Sequence, residues 1–131
     1  MNRALLAIPG LLLLALAAPA PAQDPVKVDA KHYKVEFENS EVRVLRITYG
    51  AHEKSVMHSH PDAVAVFLTD GSVRFHTPDG KSVDMTPKAG DSRWTPAGPH
   101  LPENTGEKPF EVVLVELKHH AAKAAKPAKK K

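Results

Sequence analysis

The chain has no cysteine, and aromatic residues make up only 5% of its 131 positions. Without thiols the protein cannot form disulfide bonds, a thiolate nucleophile or a zinc site of the cysteine-rich kind. The few aromatic rings are needed for the core, so we expect Phe67 and Trp94 to be buried there. Stability must then come from packed apolar side chains.

Long apolar runs are also scarce, with one exception at the N-terminus. A basic residue, Arg3, precedes an apolar stretch over 4–18 and the sequence Ala20-Pro21-Ala22. These are the parts of a secretory signal peptide, which we assign to residues 1–22. A membrane anchor is the competing interpretation, but the stretch is shorter than the roughly 20 apolar residues that a span needs. We therefore expect a periplasmic or secreted protein with no stable membrane insertion after cleavage.

The basic character of the chain lies almost entirely at its C-terminus. The formal net charge is +3, but Arg3 lies in the signal and six lysines lie in residues 118–131, a tail of His, Ala, Lys and Pro only. The body then has 11 basic and 15 acidic residues, a charge of −4. We expect no nucleic-acid partner for such a body. The tail has the composition of a disordered extension, and binding to an anionic surface is the alternative.

No stretch between residues 23 and 117 has sustained helical periodicity. Polar and apolar residues alternate in Tyr33–Glu38 and through much of Val42–Tyr49, as in half-buried strands. Further short strands are predicted at 64–68, 73–75, 83–85, 93–94 and 110–117. The pattern predicts an all-β domain over 23–117, with residues 23–31 as a mobile lead-in or an edge strand.

Turn residues separate these predicted strands. Asp70-Gly71 and Asp79-Gly80 are dipeptides typical of two-residue hairpins, because Gly and Asp tolerate the positive φ angles that such turns require. Both are therefore predicted to join neighbouring antiparallel strands.

The segment His58-Ser59-His60 carries the most specific chemistry. Residues i and i+2 of a strand face the same side, about 6.7 Å apart, so the two imidazoles can hold one ion. An exposed polar strand face is the simpler alternative. A third histidine, His100 in Pro96-Ala97-Gly98-Pro99-His100, can complete a three-imidazole site that leaves positions open for water or substrate.

These histidines stand in two motifs that resemble those of the cupin superfamily. The residues that carry the resemblance are Gly50, His58, His60 and Gly71 in the first motif, and Gly90, Pro96, Gly98, His100 and Asn104 in the second. The resemblance implies a single-domain cupin-type jelly-roll β-barrel. It also implies His58, His60 and His100 as metal ligands and a homodimer as the assembly.

The chain departs from the cupin pattern in three places. Gly50 lies two residues further from the histidine pair, and one residue is missing between Gly98 and His100. Val64 stands where the family usually has a glutamate ligand. Asp62 shares parity with His60 and is an alternative ligand, although Pro61-Asp62 also fits a turn.

Two polar residues that follow His100 have two possible roles. Glu103 and Asn104 can accept a hydrogen bond from a ligating imidazole, or they can shape the turn. The sequence leaves this choice open.

The function implied is binding of a divalent transition metal, namely Zn, Fe, Mn, Cu or Ni. Three neutral imidazoles leave the charge of the ion uncompensated, which favours a small oxygenated molecule as ligand or substrate. The resemblance implies a metal-dependent enzyme, dioxygenase-like or isomerase-like. A non-catalytic ligand-binding module and a metal-free structural or interaction protein are the alternatives. Because ligating imidazoles must be neutral, we expect metal affinity to fall below about pH 6.5.

Overall fold

The computed structural model describes residues 23–118, so the predicted signal peptide and residues 119–131 of the predicted tail lie outside the described part. One short helix precedes nine strands. Their bounds are α1 Pro25–Val28, β1 Tyr33–Glu38, β2 Val42–Tyr49, β3 His58–His60, β4 Ala63–Phe67, β5 Val73–His76, β6 Ser82–Met85, β7 Ser92–Thr95, β8 Gly98–Asn104 and β9 Phe110–Leu117. Within residues 23–118, no helix is long and apolar enough to cross a membrane.

The strands form two antiparallel sheets that face each other. One sheet has the order β1-β2-β9-β4-β7, and the other has the order β3-β8-β5-β6. The chain passes from one sheet to the other several times, as in a jelly roll. The all-β jelly-roll prediction is confirmed, with the difference that the two sheets are not hydrogen-bonded into one closed barrel.

The core lies between the two sheets. Strands β4 and β9 alternate buried and half-buried residues along their whole length, so one face of each points inward. Tyr33, Leu45 and Phe67 are almost completely buried there. Trp94 is 58% exposed on the edge strand β7, so the prediction that it fills the core is wrong. Its partner in the register, Val64, lies on the outward face of β4.

One of the two predicted hairpins is present. β5 and β6 pair from Val73↔Met85 to His76↔Ser82, and Gly80 in the turn has φ +81°. The Thr77 backbone N–H donates to the Lys81 carbonyl at 2.9 Å, so the loop has three residues, 78–80, and not the two that were predicted. The Asp70-Gly71 prediction is wrong, because β4 and β5 belong to different sheets and this segment carries the chain between them. A Cβ on Gly71 would lie 3.3 Å from the Phe110 side chain, so a larger residue there would require Phe110 to shift by a few tenths of an ångström.

The segment before β1 is ordered, contrary to the prediction of a mobile lead-in or an edge strand. Asp24 caps α1 by accepting a hydrogen bond from the Val26 backbone N–H at 3.1 Å, and Pro25 at the first helical turn is buried. A bidentate ion pair with Arg43 of β2 also holds Asp24, at 2.9 and 3.1 Å. A helix of four residues is too short to show a periodicity in sequence.

Strand β8 contains two prolines and was not predicted as a strand. It pairs with β3 over residues 98–100 and with β5 over residues 101–104, on its other side. The second half also receives residues 53–55 along its outer edge, where the Ser55 backbone N–H donates to the Pro102 carbonyl at 2.9 Å, a bond that needs no donor from the proline.

Lys118, the first residue assigned to the tail, is bonded to the folded body. Its backbone N–H donates to the Glu41 carbonyl at 2.8 Å, and its ammonium group pairs with Glu38 at 2.6 Å.

Candidate metal centre

The three histidines of the two motifs meet at one point between paired strands. His58 on β3 stands directly opposite His100 on β8, and His60 stands opposite Gly98. His58 and His60 are buried and His100 is half-buried. One ring nitrogen from each histidine lies within 4.8 Å of the others. The predicted same-face geometry of the H-x-H pair is therefore present.

The outer nitrogens of the β3 histidines are both held as donors. His58 Nδ1 lies 2.8 Å from the Val56 carbonyl oxygen, which can only accept, so it carries the proton. His60 Nδ1 lies 2.6 Å from Glu116 Oε1 and donates to that carboxylate. These bonds leave the lone pair of each neutral ring on Nε2.

The two Nε2 atoms lie 3.1 Å apart, and with these tautomers their lone pairs face each other. Either a shared proton or a metal ion removes the resulting repulsion. Two nitrogens at about 2.0–2.1 Å from one ion, with tetrahedral or octahedral angles, lie about 2.9–3.4 Å apart. The donor set and spacing of His58 and His60 therefore fit a divalent transition metal.

Glu116 is a site residue that was not identified from the sequence. It is 1% exposed and bridges His60 Nδ1 and Arg43, whose Nε donates to Glu116 Oε2 at 2.5 Å. Burial raises the pKa of Glu116, but the hydrogen bonds from His60 and Arg43 outweigh burial and lower it overall. The carboxylate is thus charged and fixes the tautomer and orientation of the His60 ring.

A signal for Glu116 was present in the sequence. Strand β9 alternates, and Glu116 has the same parity as the buried residues Phe110, Val112 and Leu114. An acidic residue on the inward face of a strand must have a partner that compensates its burial.

Burial keeps the His58 and His100 rings neutral. Desolvation lowers the pKa of His58 to about 4, although the bond to the Val56 carbonyl opposes it. Desolvation and the neighbouring histidines lower the pKa of His100 to about 3. A ligating imidazole must be unprotonated, so both residues remain competent well below the pH range expected from an ordinary histidine.

His100 lies at the wall of a cavity between the sheets. Its ring contacts Phe75 with centroids 5.2 Å apart, and among the described residues no hydrogen bond to its ring nitrogens is present. The cavity has a volume of about 60 Å³, enough for a few waters or a molecule of a few heavy atoms. Within residues 23–118 its lining is mainly apolar and includes no carboxylate; the polar side chains are Tyr33, Tyr49, His60, Thr95 and His100.

The position that faces the cavity on β4 is occupied by Ala65 and not by Val64. Val64 points outward from β4, whereas the next residue, Ala65, is buried and lines the cavity. The inward position is therefore Ala65, which follows His60 after four intervening residues rather than three, and it carries only a methyl group. Asp62, the alternative ligand, accepts from the Ala97 backbone N–H at 2.7 Å and lies outside the histidine cluster.

Glu103 and Asn104 form hydrogen bonds with other residues and not with the three histidines of the cluster. Asn104 is buried, and its Nδ2 donates hydrogen bonds to the Gly50 and Lys108 carbonyls at 2.8 Å each. These bonds hold the two chain segments together. Glu103 accepts from His76 Nε2 at 2.6 Å, on the other half of β8.

Comparison with known proteins agrees with this fold. A family model described as a cupin domain matches residues 45–116, and the chain belongs to the cupin superfamily. A cupin domain from Bordetella pertussis Tohama I has a TM-score of 0.62 at 29% identity, with 66% of this chain and 92% of that chain covered.

More distant solved structures have the same fold. An RmlC-like cupin family protein with a double-stranded β-helix fold from Methanocaldococcus jannaschii has a TM-score of 0.53 at 19% identity, covering 70% of this chain and 84% of that one. A protein with a double-stranded β-helix domain from Klebsiella pneumoniae has a TM-score of 0.52 at 24% identity, covering 64% and 74%. None of the curated proteins gives a significant match.

Proposed function

We propose that this chain is an exported cupin that binds one divalent transition metal through Nε2 of His58, Nε2 of His60 and a ring nitrogen of His100. One observation carries the proposal: two buried nitrogens with lone pairs face each other at 3.1 Å, with the third histidine beside them. The candidate ions are Zn, Fe, Mn, Cu and Ni. Which of them is bound depends on the metals available to the protein as well as on the affinity of the imidazoles.

We further propose that the bound ion takes a small anionic oxygen ligand, such as a carboxylate or an enolate. Three neutral imidazoles leave the positive charge of the ion uncompensated, and Ala65, at the inward position of β4, supplies no negative charge. The cavity of about 60 Å³ restricts this ligand to a few heavy atoms. The residues of the chain bind and orient the ligand and exclude water, while the metal supplies Lewis-acid character.

Whether the protein also catalyses a reaction depends on that metal. Among the described residues that line the cavity there is no carboxylate, and the two tyrosines there are held as phenols, because burial raises the pKa of both Tyr33 and Tyr49. A binding role needs nothing more than the histidines and the cavity. Turnover of small carboxylates or enolisable compounds by the metal-loaded protein, lost in His60→Ala, separates an enzyme from a binding module.

Metal analysis of the purified protein tests the binding proposal. We expect about one metal per chain after loading with Zn(II) or Co(II) and desalting, and none in His58→Ala or His60→Ala. The matched control is His76→Ala, because His76 pairs with Glu103 outside the cluster. Equal metal content in all four proteins, or none in the parent, contradicts the proposal and leaves a metal-free cupin.

We also propose that the protein is a homodimer that buries the outer face of the five-stranded sheet. The register aligns Phe37, Val44, Val115, Val64 and Trp94 in one apolar row across all five strands. Phe37 and Trp94 at the two ends are more than half exposed. An apolar row of this length on an outer face is typical of an interaction surface.

Sedimentation equilibrium tests this assembly. We expect a dimer that becomes monomeric in Trp94→Lys and Phe37→Lys. Val83→Lys is the control, because Val83 is equally exposed but lies on the edge of the other sheet. A monomeric parent, or a dimer that survives both substitutions, contradicts the proposal.

Export to the periplasm or the medium rests on the sequence pattern of residues 1–22. We expect protein isolated from its native source to begin near Gln23. An intact N-terminus in a cytoplasmic fraction would contradict export.

A further inference from the structure

The residues that precede β1 contact the histidine strand from behind. We refer to residues 23–32 as the N-terminal segment. It lies outside residues 45–116, the part matched by the family model. Strand β3 is an edge strand, and the backbone N–H of Ser59, between the two histidines, donates to the Gln23 carbonyl at 3.0 Å. The N-terminal segment thus provides a backbone acceptor to the strand that carries His58 and His60.

A chain of side-chain contacts joins this segment to His60. His60 Nδ1 donates to Glu116, Glu116 accepts from Arg43 Nε, and both terminal nitrogens of Arg43 donate to Asp24. The side chain of Arg43 is only 17% exposed, and its guanidinium is held between the two carboxylates. Asp24 therefore fixes the position of Arg43, which fixes the carboxylate that orients His60.

A second chain of contacts joins the segment to His58. Ser55 Oγ donates to Asp29 Oδ2 at 2.5 Å and lies 3.3 Å from His58 Nδ1. Asp29 is 9% exposed and is itself held by His32 Nδ1 at 2.8 Å from each carboxylate oxygen. The ring of His32 stacks on Tyr49 with centroids 4.3 Å apart, so the anchor of this chain is rigid.

We propose that Asp24 and Asp29 are positioning residues of the metal centre, acting on His60 through Arg43 and Glu116 and on His58 through Ser55. The N-terminal segment, rather than the matched cupin domain alone, then sets the orientation of both β3 imidazoles. This inference rests on the proposed metal-binding function. Partners beyond the ligands commonly change metal affinity by roughly 10- to 100-fold.

The experiment compares the full chain with Asp24→Asn, Asp29→Asn and the double variant. Asparagine keeps the size of the side chain and removes its charge. Co(II) affinity is measured by competition with a chelator at pH 7.5, and the visible absorption spectrum of bound Co(II) reports the ligand geometry. Asp84→Asn is the matched control, because it breaks the ion pair with Arg74 on the exposed edge of the other sheet.

We expect each single variant to bind Co(II) about 10-fold more weakly and the double variant about 100-fold more weakly. The Co(II) bands should shift in both single variants and not in Asp84→Asn. Asp24→Glu, which keeps the negative charge on Arg43, should recover part of the affinity. Urea unfolding of each metal-free variant confirms that all of them are folded under the titration conditions, so a change in affinity is not loss of fold.

Long-range proton–nitrogen NMR of the metal-free proteins gives a readout that needs no metal. The ring nitrogen shifts of His58 should change in Asp29→Asn, and those of His60 should change in Asp24→Asn. A parent that binds Co(II) while the folded variants have its affinity, spectrum and nitrogen shifts overturns the positioning role alone. A parent that binds no Co(II) overturns the proposed function, and with it the role of both aspartates in metal binding.

Discussion

The histidines on β3 and the histidine on β8 face the same point but are held in different ways. His58 and His60 are buried, with their outer nitrogens bonded to Val56 and Glu116. His100 is half-buried, and its ring packs against the rings of Phe75, His58 and His60, with no hydrogen bond to its ring nitrogens from any residue in 23–118. The difference indicates a preorganised pair on one side and an adjustable third ligand on the side of the cavity.

Removal of ligands tests this difference with the largest expected effect. His60→Ala should lower metal affinity by more than about 100-fold, because loss of a ligand exceeds the loss of an outer partner. His100→Ala should have a smaller effect, since the preorganised pair remains. Competition titrations with Zn(II) and Co(II) measure both. If His100→Ala abolished binding while His60→Ala retained it, His100 and not the β3 pair would be the main ligand.

Removal of the buried carboxylate behind His60 should have the next largest effect. Glu116→Ala leaves Arg43 and His60 without their shared acceptor, and breaking a buried ion pair in this way costs about 3–5 kcal/mol of unfolding free energy. Urea unfolding of the metal-free protein measures the loss. Asp84→Ala is the control and should change stability little, because the pair with Arg74 is exposed. Equal stability of the two variants would show that Glu116 is not held as described.

Asn104 provides the opposite case, a buried residue of the second motif that serves the fold and not the site. Asn104→Ala should cost about 1–3 kcal/mol of unfolding free energy, because the Gly50 and Lys108 carbonyls lose their donor. Metal affinity, measured while the variant is folded, should equal that of the parent. A marked loss of affinity would mean that this turn positions His100.

Acid should destabilise the metal-free protein through the histidines. The pKa of His58 is lowered to about 4 and that of His100 to about 3, from 6.5 in each case. The unfolded chain therefore binds more protons than the folded protein between about pH 6.5 and 4, and stability must fall as pH falls through that range. His100→Leu should reduce the slope between pH 6.5 and 5, where carboxylates are still ionised in both states. An unchanged slope would contradict the burial of His100.

The same lowered pKa values change an expectation from the sequence. An ordinary histidine predicts loss of metal below about pH 6.5. With His58 and His100 neutral to lower pH, we now expect a metal affinity that declines later on acidification.

The sequence predicted the parts of the molecule that depend on local pattern. Strand alternation identified the core face of β2, and the spacing of His58 and His60 placed both rings on one side of a strand. The β5–β6 hairpin followed from the positive φ angle that Gly80 tolerates. Each of these features needs only neighbours in the chain.

The remaining features depend on contacts that are distant in the chain. Arg43 and Glu116 are 73 residues apart, and only the pairing of β2 with β9 brings them together. The short helix that ends at Val28 has no periodicity of its own and is held by tertiary contacts. Trp94 is exposed because β7 is an edge strand, a property of the sheet order that the residue type does not indicate.

Anomalous diffraction from crystals soaked in Zn(II), recorded at the zinc absorption edge, is the decisive test of the three-histidine site. We expect one strong peak between β3 and β8, at about 2.0–2.1 Å from Nε2 of His58, Nε2 of His60 and one ring nitrogen of His100. A peak bound by other residues, or no peak between these strands in a crystal of folded protein, would contradict it.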